Sequence, residues 1–163
     1  MNNLSTRQLN LAGFLACAGM MAYALYAEHV LMLMPCPLCV FQRMAVIVLG
    51  IVFLVAAIHN PAGNGRRVYA ALVLLAGGAG VGVAGRHVWL QNLPADEVPA
   101  CGPGFNYIMD SFPVADALKM IFTGSGECAT TDWQFIGLSM PAWVVIAVTV
   151  VTIAGLWNNL RQT

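Results

Sequence analysis

Four apolar runs divide the chain, at about residues 9–27, 40–58, 68–90 and 141–157. Each falls within the range of about 17–25 residues that a membrane-spanning helix uses. Polar residues mark the breaks. Arg7 precedes the first run, and Glu28 and His29 close it. Gln42 and Arg43 open the second, and the turn from His59 to Arg67 separates it from the third. Arg86 and His87 interrupt the end of the third run, and Arg161 follows the fourth. Loops are expected at about 28–39 and 91–140. The longer one is rich in prolines, glycines and acids and contains no spanning run. Within it, Phe112 to Thr123 has helical spacing: Val114, Ala115, Leu118, Ile121 and Phe122 form one face, and Asp116 and Lys119 the other. That pattern predicts a short helix lying on the membrane surface. The expected fold is an all-α membrane protein, a four-helix bundle with a long outer loop, as one integral domain over residues 1–163.

Composition strengthens this class. Hydrophobic residues make up 60% of the chain and charged ones 9%, against about 25% charged in ordinary soluble domains. Mean hydropathy is +0.76. A cleaved signal peptide is a rival for the first run, since Ala22-Tyr23-Ala24 resembles a cleavage site. The run is long for that purpose, and apolar character resumes at Val30 to Met34. Gly77, Gly78, Gly80, Gly82 and Gly85 in the third run suit close helix approach. Trp89, Trp133, Trp143 and Trp157 fall near span ends or in the outer loop, as interfacial tryptophans do.

Charge sets the orientation. Formal net charge is zero, so no bulk field points to nucleic acid. With four spans, Arg7, Arg66, Arg67 and Arg161 share the side of both termini, which the positive-inside rule makes cytoplasmic. Asp96, Glu97, Asp110, Asp116, Glu127 and Asp132 face outward with one Lys119. Arg43 and Arg86 lie at the outer ends of spans and break the charge rule. They are either snorkelling residues or functional ones.

The chemistry centres on Pro35-Cys36-Pro37-Leu38-Cys39 followed by Arg43. Pro35 ends any preceding helix, and Pro37 suits the first turn of a new one. Cys36 then falls near the N-cap and Cys39 in the first turn, where unpaired N–H groups favour a thiolate. Arg43, at i+4 from Cys39, shares its face and adds positive charge. As a structural staple so short a loop contributes only about 2 kcal/mol. An activated redox pair is therefore the better reading.

Cys36, Cys39, Cys101 and Cys128 all map to the outer side, while Cys17 lies within the first run and is assigned no role. Four cysteines in an oxidising compartment read as two disulfides, with three possible pairings. The two-loop arrangement favours Cys36–Cys39 and Cys101–Cys128, the second closing a loop of about 28 residues worth roughly 3.6 kcal/mol. A four-cysteine zinc site lacks its second short spacing. Attached haem lacks the histidine after the second cysteine, which is Val40. Phosphate loops, metalloprotease helices and serine-nucleophile elbows are absent from the sequence.

These residues resemble the disulfide bond formation protein B (DsbB) family of bacterial inner-membrane oxidoreductases. The resemblance rests on Cys36-Pro37-Leu38-Cys39 with Arg43, on Gly85-Arg86-His87, on Cys101 and Cys128 in one loop, and on Glu127-Cys128 through Trp133-Gln134-Phe135-Ile136-Gly137 to Trp143. It implies that the long loop is periplasmic. It also implies a protein-disulfide:quinone oxidoreductase that reoxidises a periplasmic DsbA-like thiol oxidase and passes two electrons to the membrane quinone pool, ubiquinone or menaquinone, with no metal. By the same resemblance Cys101 is attacked by the partner, Cys128 exchanges with Cys36, and Cys39 reacts with the quinone beside Arg43. Arg86 and His87 match the quinone-proximal region. The nearest rivals are a vitamin K epoxide reductase-like quinone reductase, whose Cys-x-x-Cys lies at a later helix, and a membrane scaffold with structural disulfides.

Overall fold

The computed structural model describes residues 5–94, 96–100, 102 and 105–161, the side chains of Phe105 and Asn106 excepted. Cys101 therefore lies outside the described residues. Four long helices are apolar enough to cross a membrane: α1 Thr6–His29, α2 Pro37–His59, α3 Asn64–Gln91, and, last in the chain, α7 Met140–Leu160. Adjacent helices pack α1 on α2, α2 on α3, α3 on α7 and α7 on α1, closing a four-helix membrane bundle.

The helices run past the apolar limits expected for them, because backbone hydrogen bonding continues where hydrophobicity stops. Ser5 and Gln8 form a reciprocal capping box that starts α1 three residues before the apolar run. Asn60 in the left-handed conformation ends α2 ahead of Pro61. The expected turn through Arg67 is half absorbed into α3, which begins at Asn64.

The middle of the bundle is close-packed. Phe53, Leu49, Val73 and Val148 are buried there with Cys17. Gly77 permits the α3–α7 approach, since a Cβ at that position would stand 2.0 Å from Thr152 Oγ1. Gly80 is also close to α7, but Gly78, Gly82 and Gly85 face open space. The glycine run thus divides into a packing stripe and an outer face. Sequence reasoning had treated all five alike.

The long loop folds over one end of the bundle. It holds three short helices, α4 Phe105–Ser111, α5 Val114–Thr123 and α6 Gly126–Ala129, and then a two-stranded hairpin, β1 Gln134–Phe135 with β2 Leu138–Ser139. The expected short helix is α5. Ala117 and Ile121 pack inward against Leu38 and Leu90, leaving Val114, Ala115 and Phe122 exposed. A small residue at 117 allows the close approach that Val114 does not. Gly124 ends α5 at φ +91°, and a Cβ there would stand 2.5 Å from Leu90 Cδ1.

At the opposite end, buried amides tie the termini of α1 and α7 together. Asn159 Nδ2 donates to Asn10 Oδ1 at 3.0 Å and Asn10 Nδ2 to Asn159 Oδ1 at 3.4 Å. Arg66 donates to Thr6 Oγ1 and to the Asn158 carbonyl, bringing the α2–α3 turn to the same end.

Candidate functional site: a thiol cluster at the cavity mouth

Cys36 is the N-cap of α2 and Pro37 its first residue, so the Pro-Cys-Pro pattern sets the helix start as its chemistry suggested. The Cys36 sulfur accepts the Cys39 backbone N–H at 3.4 Å, and the two sulfurs are 3.1 Å apart, as free thiols. From α6, Cys128 brings its sulfur into the same cluster. Cys36 Sγ, Cys128 Sγ and a ring nitrogen of His87 all lie within 4.8 Å of one another. Cys128 is buried beside Cys36, the cysteine with which the family resemblance expects it to exchange. The described neighbours of Cys101 also approach this region: Ala100 O accepts from the Gly126 N–H at 3.2 Å, and Gly102 lies against Ser125.

His87 is buried near the end of α3 and touches both thiols of the Cys-x-x-Cys pair, with Nε2 3.8 Å from Cys36 Sγ and Nδ1 3.9 Å from Cys39 Sγ. Gln42 Nε2 lies 2.8 Å from His87 Nδ1. Gln42 was not singled out from the sequence, although a buried amide in the first turns of an apolar helix was the available signal.

Arg43 lines the same cavity as Cys39, and its guanidinium is held from α1. It forms a salt bridge with Glu28 and donates to the Ala24 carbonyl at 3.2 Å, both on α1. Its charge is therefore shared with a carboxylate, and the group in contact with the Cys39 sulfur is His87. Arg86, expected in the quinone-proximal region, does not line this cavity. It donates to the Phe122 and Thr123 carbonyls and stacks its guanidinium over Trp89, anchoring α5 to α3.

The cavity has a volume of about 130 Å³. Met20 and Met21 of α1, Val46 of α2 and Val144 of α7 form apolar walls, and Cys36, Cys39, Gln42, Arg43, His87 and Gln91 supply the polar groups. Gln91 is held by Ser139 Oγ at 2.6 Å and by the Thr130 carbonyl. Trp133 closes one side, packed edge-on against Tyr23 and stacked with Phe135 of the hairpin.

Electrostatics divide the two cysteines outside the helical spans. Cys128 is lowered to about 6, first by a hydrogen bond from the Cys36 thiol and then by the Ser125 and Leu38 backbone, against the opposing effect of burial. Cys36 is raised, because its proton is shared toward Cys128 and Cys39 and because it is buried. The helix N-terminus was expected to favour a thiolate at Cys36. The neighbouring sulfurs outweigh it and leave Cys36 as the proton donor of the cluster.

Over residues 6–158 the chain matches the family described as disulfide bond formation protein DsbB. Relatives named disulfide bond formation protein B include one from Nitrosococcus oceani, 50% identical over 97% of this chain and 94% of its own. Another, from Saccharophagus degradans, is 50% identical over 97% and 95%. A third, from Stutzerimonas stutzeri, is 45% identical over 97% of both.

Proposed function

The chain belongs to the DsbB family, and from that premise we propose that it makes disulfide bonds available by moving electrons from a periplasmic DsbA-like dithiol protein to a membrane quinone. The observation that carries this reading is the position of Cys36. Its sulfur is in contact with Cys39, with which it lines a largely apolar cavity, and lies beside Cys128. A sulfur with two sulfur neighbours can exchange one disulfide partner for the other.

A partner thiolate attacks Cys101 in a Cys101–Cys128 disulfide, and Cys128 leaves. The partner's second thiol displaces Cys101 and completes the partner's disulfide. Cys128, which left the Cys101–Cys128 bond as a thiolate, attacks Cys36 in a Cys36–Cys39 disulfide and releases Cys39. Cys101 then displaces Cys36 from Cys128. The electron pair now resides on Cys36 and Cys39, and leaves through Cys39 to the quinone as their bond re-forms. The quinone takes two electrons and two protons and departs as quinol.

The cavity suits such a substrate. An engineered apolar cavity of about 150 Å³ holds a benzene ring, so about 130 Å³ matches one ring, with an isoprenoid tail left to the lipid. Arg43 and His87 are the groups that stabilise developing charge on the quinone oxygens. The membrane is the bacterial inner membrane with both termini cytoplasmic, a reading supported by Arg7, Arg66, Arg67 and Arg161 at the end of the bundle where the termini lie.

The test is oxidation of a reduced periplasmic dithiol protein by the purified chain, with and without added ubiquinone or menaquinone. Quinone-dependent disulfide formation in the partner supports the reading. No oxidation with either quinone overturns it.

A further inference from the structure

We propose that the fully reduced thiol cluster is a redox-gated binding site for a thiophilic divalent cation of the zinc type, with Cys36, Cys128 and His87 as its protein ligands. The site goes beyond the electron route above and needs neither quinone nor partner to be detected.

Geometry is the first argument. Zinc–sulfur bonds of about 2.3 Å and zinc–nitrogen bonds of about 2.0 Å, at tetrahedral angles, leave ligand atoms roughly 3.6–3.8 Å apart. Cys36 Sγ and His87 Nε2 are already 3.8 Å apart, and Cys128 Sγ lies within 4.8 Å of Cys36 Sγ and of a His87 ring nitrogen. All three residues are buried on α2 or its cap, α3 and α6, so little rearrangement is needed. The fourth position opens on the cavity, within reach of Cys39, whose sulfur is 3.1 Å from that of Cys36.

Charge is the second. Two thiolates cancel the two positive charges and a neutral imidazole adds none, so the buried centre carries no net charge and avoids most of the cost of an uncompensated ion. Binding releases the two thiol protons to solvent and transfers no electrons.

The third argument comes from Gln42. Its side-chain amide faces His87 Nδ1 at 2.8 Å. A half-turn of that amide presents its oxygen, which accepts from Nδ1–H and leaves the Nε2 lone pair directed at the metal. Metal-ligating histidines usually receive this orienting contact. Sequence spacing could not reveal the set, because residues 36, 87 and 128 come from three separate elements.

The gate follows from the chemistry. A Cys36–Cys39 disulfide removes one of the two thiolate ligands and a Cys36–Cys128 disulfide removes both, so the metal binds only the fully reduced chain. Once bound, it occupies the sulfurs that exchange. The cation is thus an inhibitor of the relay and not a resident cofactor.

The test uses the full chain in detergent, reduced with a phosphine, with Co²⁺ alone as the probe. The expected result is one Co²⁺ per chain, with thiolate-to-metal charge-transfer absorption that Zn²⁺ displaces and diamide oxidation abolishes. Cys36→Ser and Cys128→Ser should each remove the band. Gln42→Ala should weaken binding about tenfold, as loss of an orienting contact does, while Cys101→Ser leaves it unchanged. Circular dichroism verifies that each variant remains helical, and any that does not is replaced by thiol-specific alkylation of the wild-type chain, with and without Zn²⁺. Absence of the band from the reduced wild-type chain, its survival in Cys128→Ser, or alkylation of Cys36 and Cys128 unprotected by Zn²⁺ overturns the proposal.

Discussion

The two ends of the bundle use buried polar groups in opposite ways. At the end holding the termini, the Asn10 and Asn159 amides are paired reciprocally, and Asn159 also donates to the Gly155 carbonyl at 2.9 Å. Those contacts specify one arrangement. At the other end Cys36 has Cys39, Cys128 and His87 within reach at once. A buried polar group with one complementary partner fixes helix ends, whereas a sulfur with competing neighbours provides a site where bonds can be exchanged. Buried polar groups therefore pair one to one at one end and converge on a shared sulfur at the other.

The sharpest way to break this contrast is to remove the shared sulfur. Cys36→Ser should lower quinone-linked oxidation of a dithiol partner by at least about a thousandfold, since Cys36 is the sulfur that lies beside both Cys39 and Cys128. Retained turnover would show that electrons bypass Cys36. The counterpart at the other end, Asn159→Ala, should cost about 1–3 kcal/mol of stability by leaving Asn10 buried without its partner. Turnover should stay within about twofold at a temperature where the variant is folded. Thermal unfolding and the oxidation assay together check this, and a large loss of turnover with unchanged stability would erase the distinction between the ends.

Much of this contrast was legible along the chain. The four spans follow from apolar length, and the Cys36 cap follows from Pro37, because both are local effects. The missing parts depend on which helices meet. Arg43 shares a face with Cys39, but sequence spacing could not indicate that Glu28 on α1 would take up its guanidinium. His87 was recognised, but its contact with both thiols needs α3 packed on α2. The hairpin before α7 was hidden because Ile136, a β-branched residue, adopts φ +53° beside Gly137 at +75°. Only the glycine signals such a turn from sequence. Arg86 shows the converse: an arginine at a span end was assigned to the site, and its contacts are with carbonyls of α5.

A smaller effect sharpens the contrast within the reactive end. Arg43→Ala should raise the apparent KM for quinone roughly tenfold while leaving the dithiol partner's KM nearly unchanged. Arg43 lines the cavity and is clamped to α1, whereas Cys128 is held by α6. Initial rates at varied quinone concentration check this. An unchanged quinone dependence would reduce Arg43 to a strut between α1 and α2.

The smallest expected effect concerns Cys128 and follows from the proton-sharing at Cys36. Cys128 titrates near 6 in place of the ordinary thiol value of 9.0, chiefly because Cys36 donates to it. Above that pH the thiolate, which is the attacking form, predominates. Lowering the pH from 8 to 6 should therefore slow alkylation of Cys128 only about twofold, where an unperturbed thiol would slow roughly ninetyfold. Cys36 is shifted the other way and should react slowly across the same range. Replacing Cys36 by Ala removes the donor, so the inflection at Cys128 should move up from about 6 toward 9.0. Pulse alkylation of the reduced chain, with mass spectrometry of the peptide containing Cys128, reads both quantities. A wild-type inflection near 9, or one unmoved by Cys36→Ala, would mean that the Cys36 thiol does not hold Cys128 as a thiolate in the reduced chain.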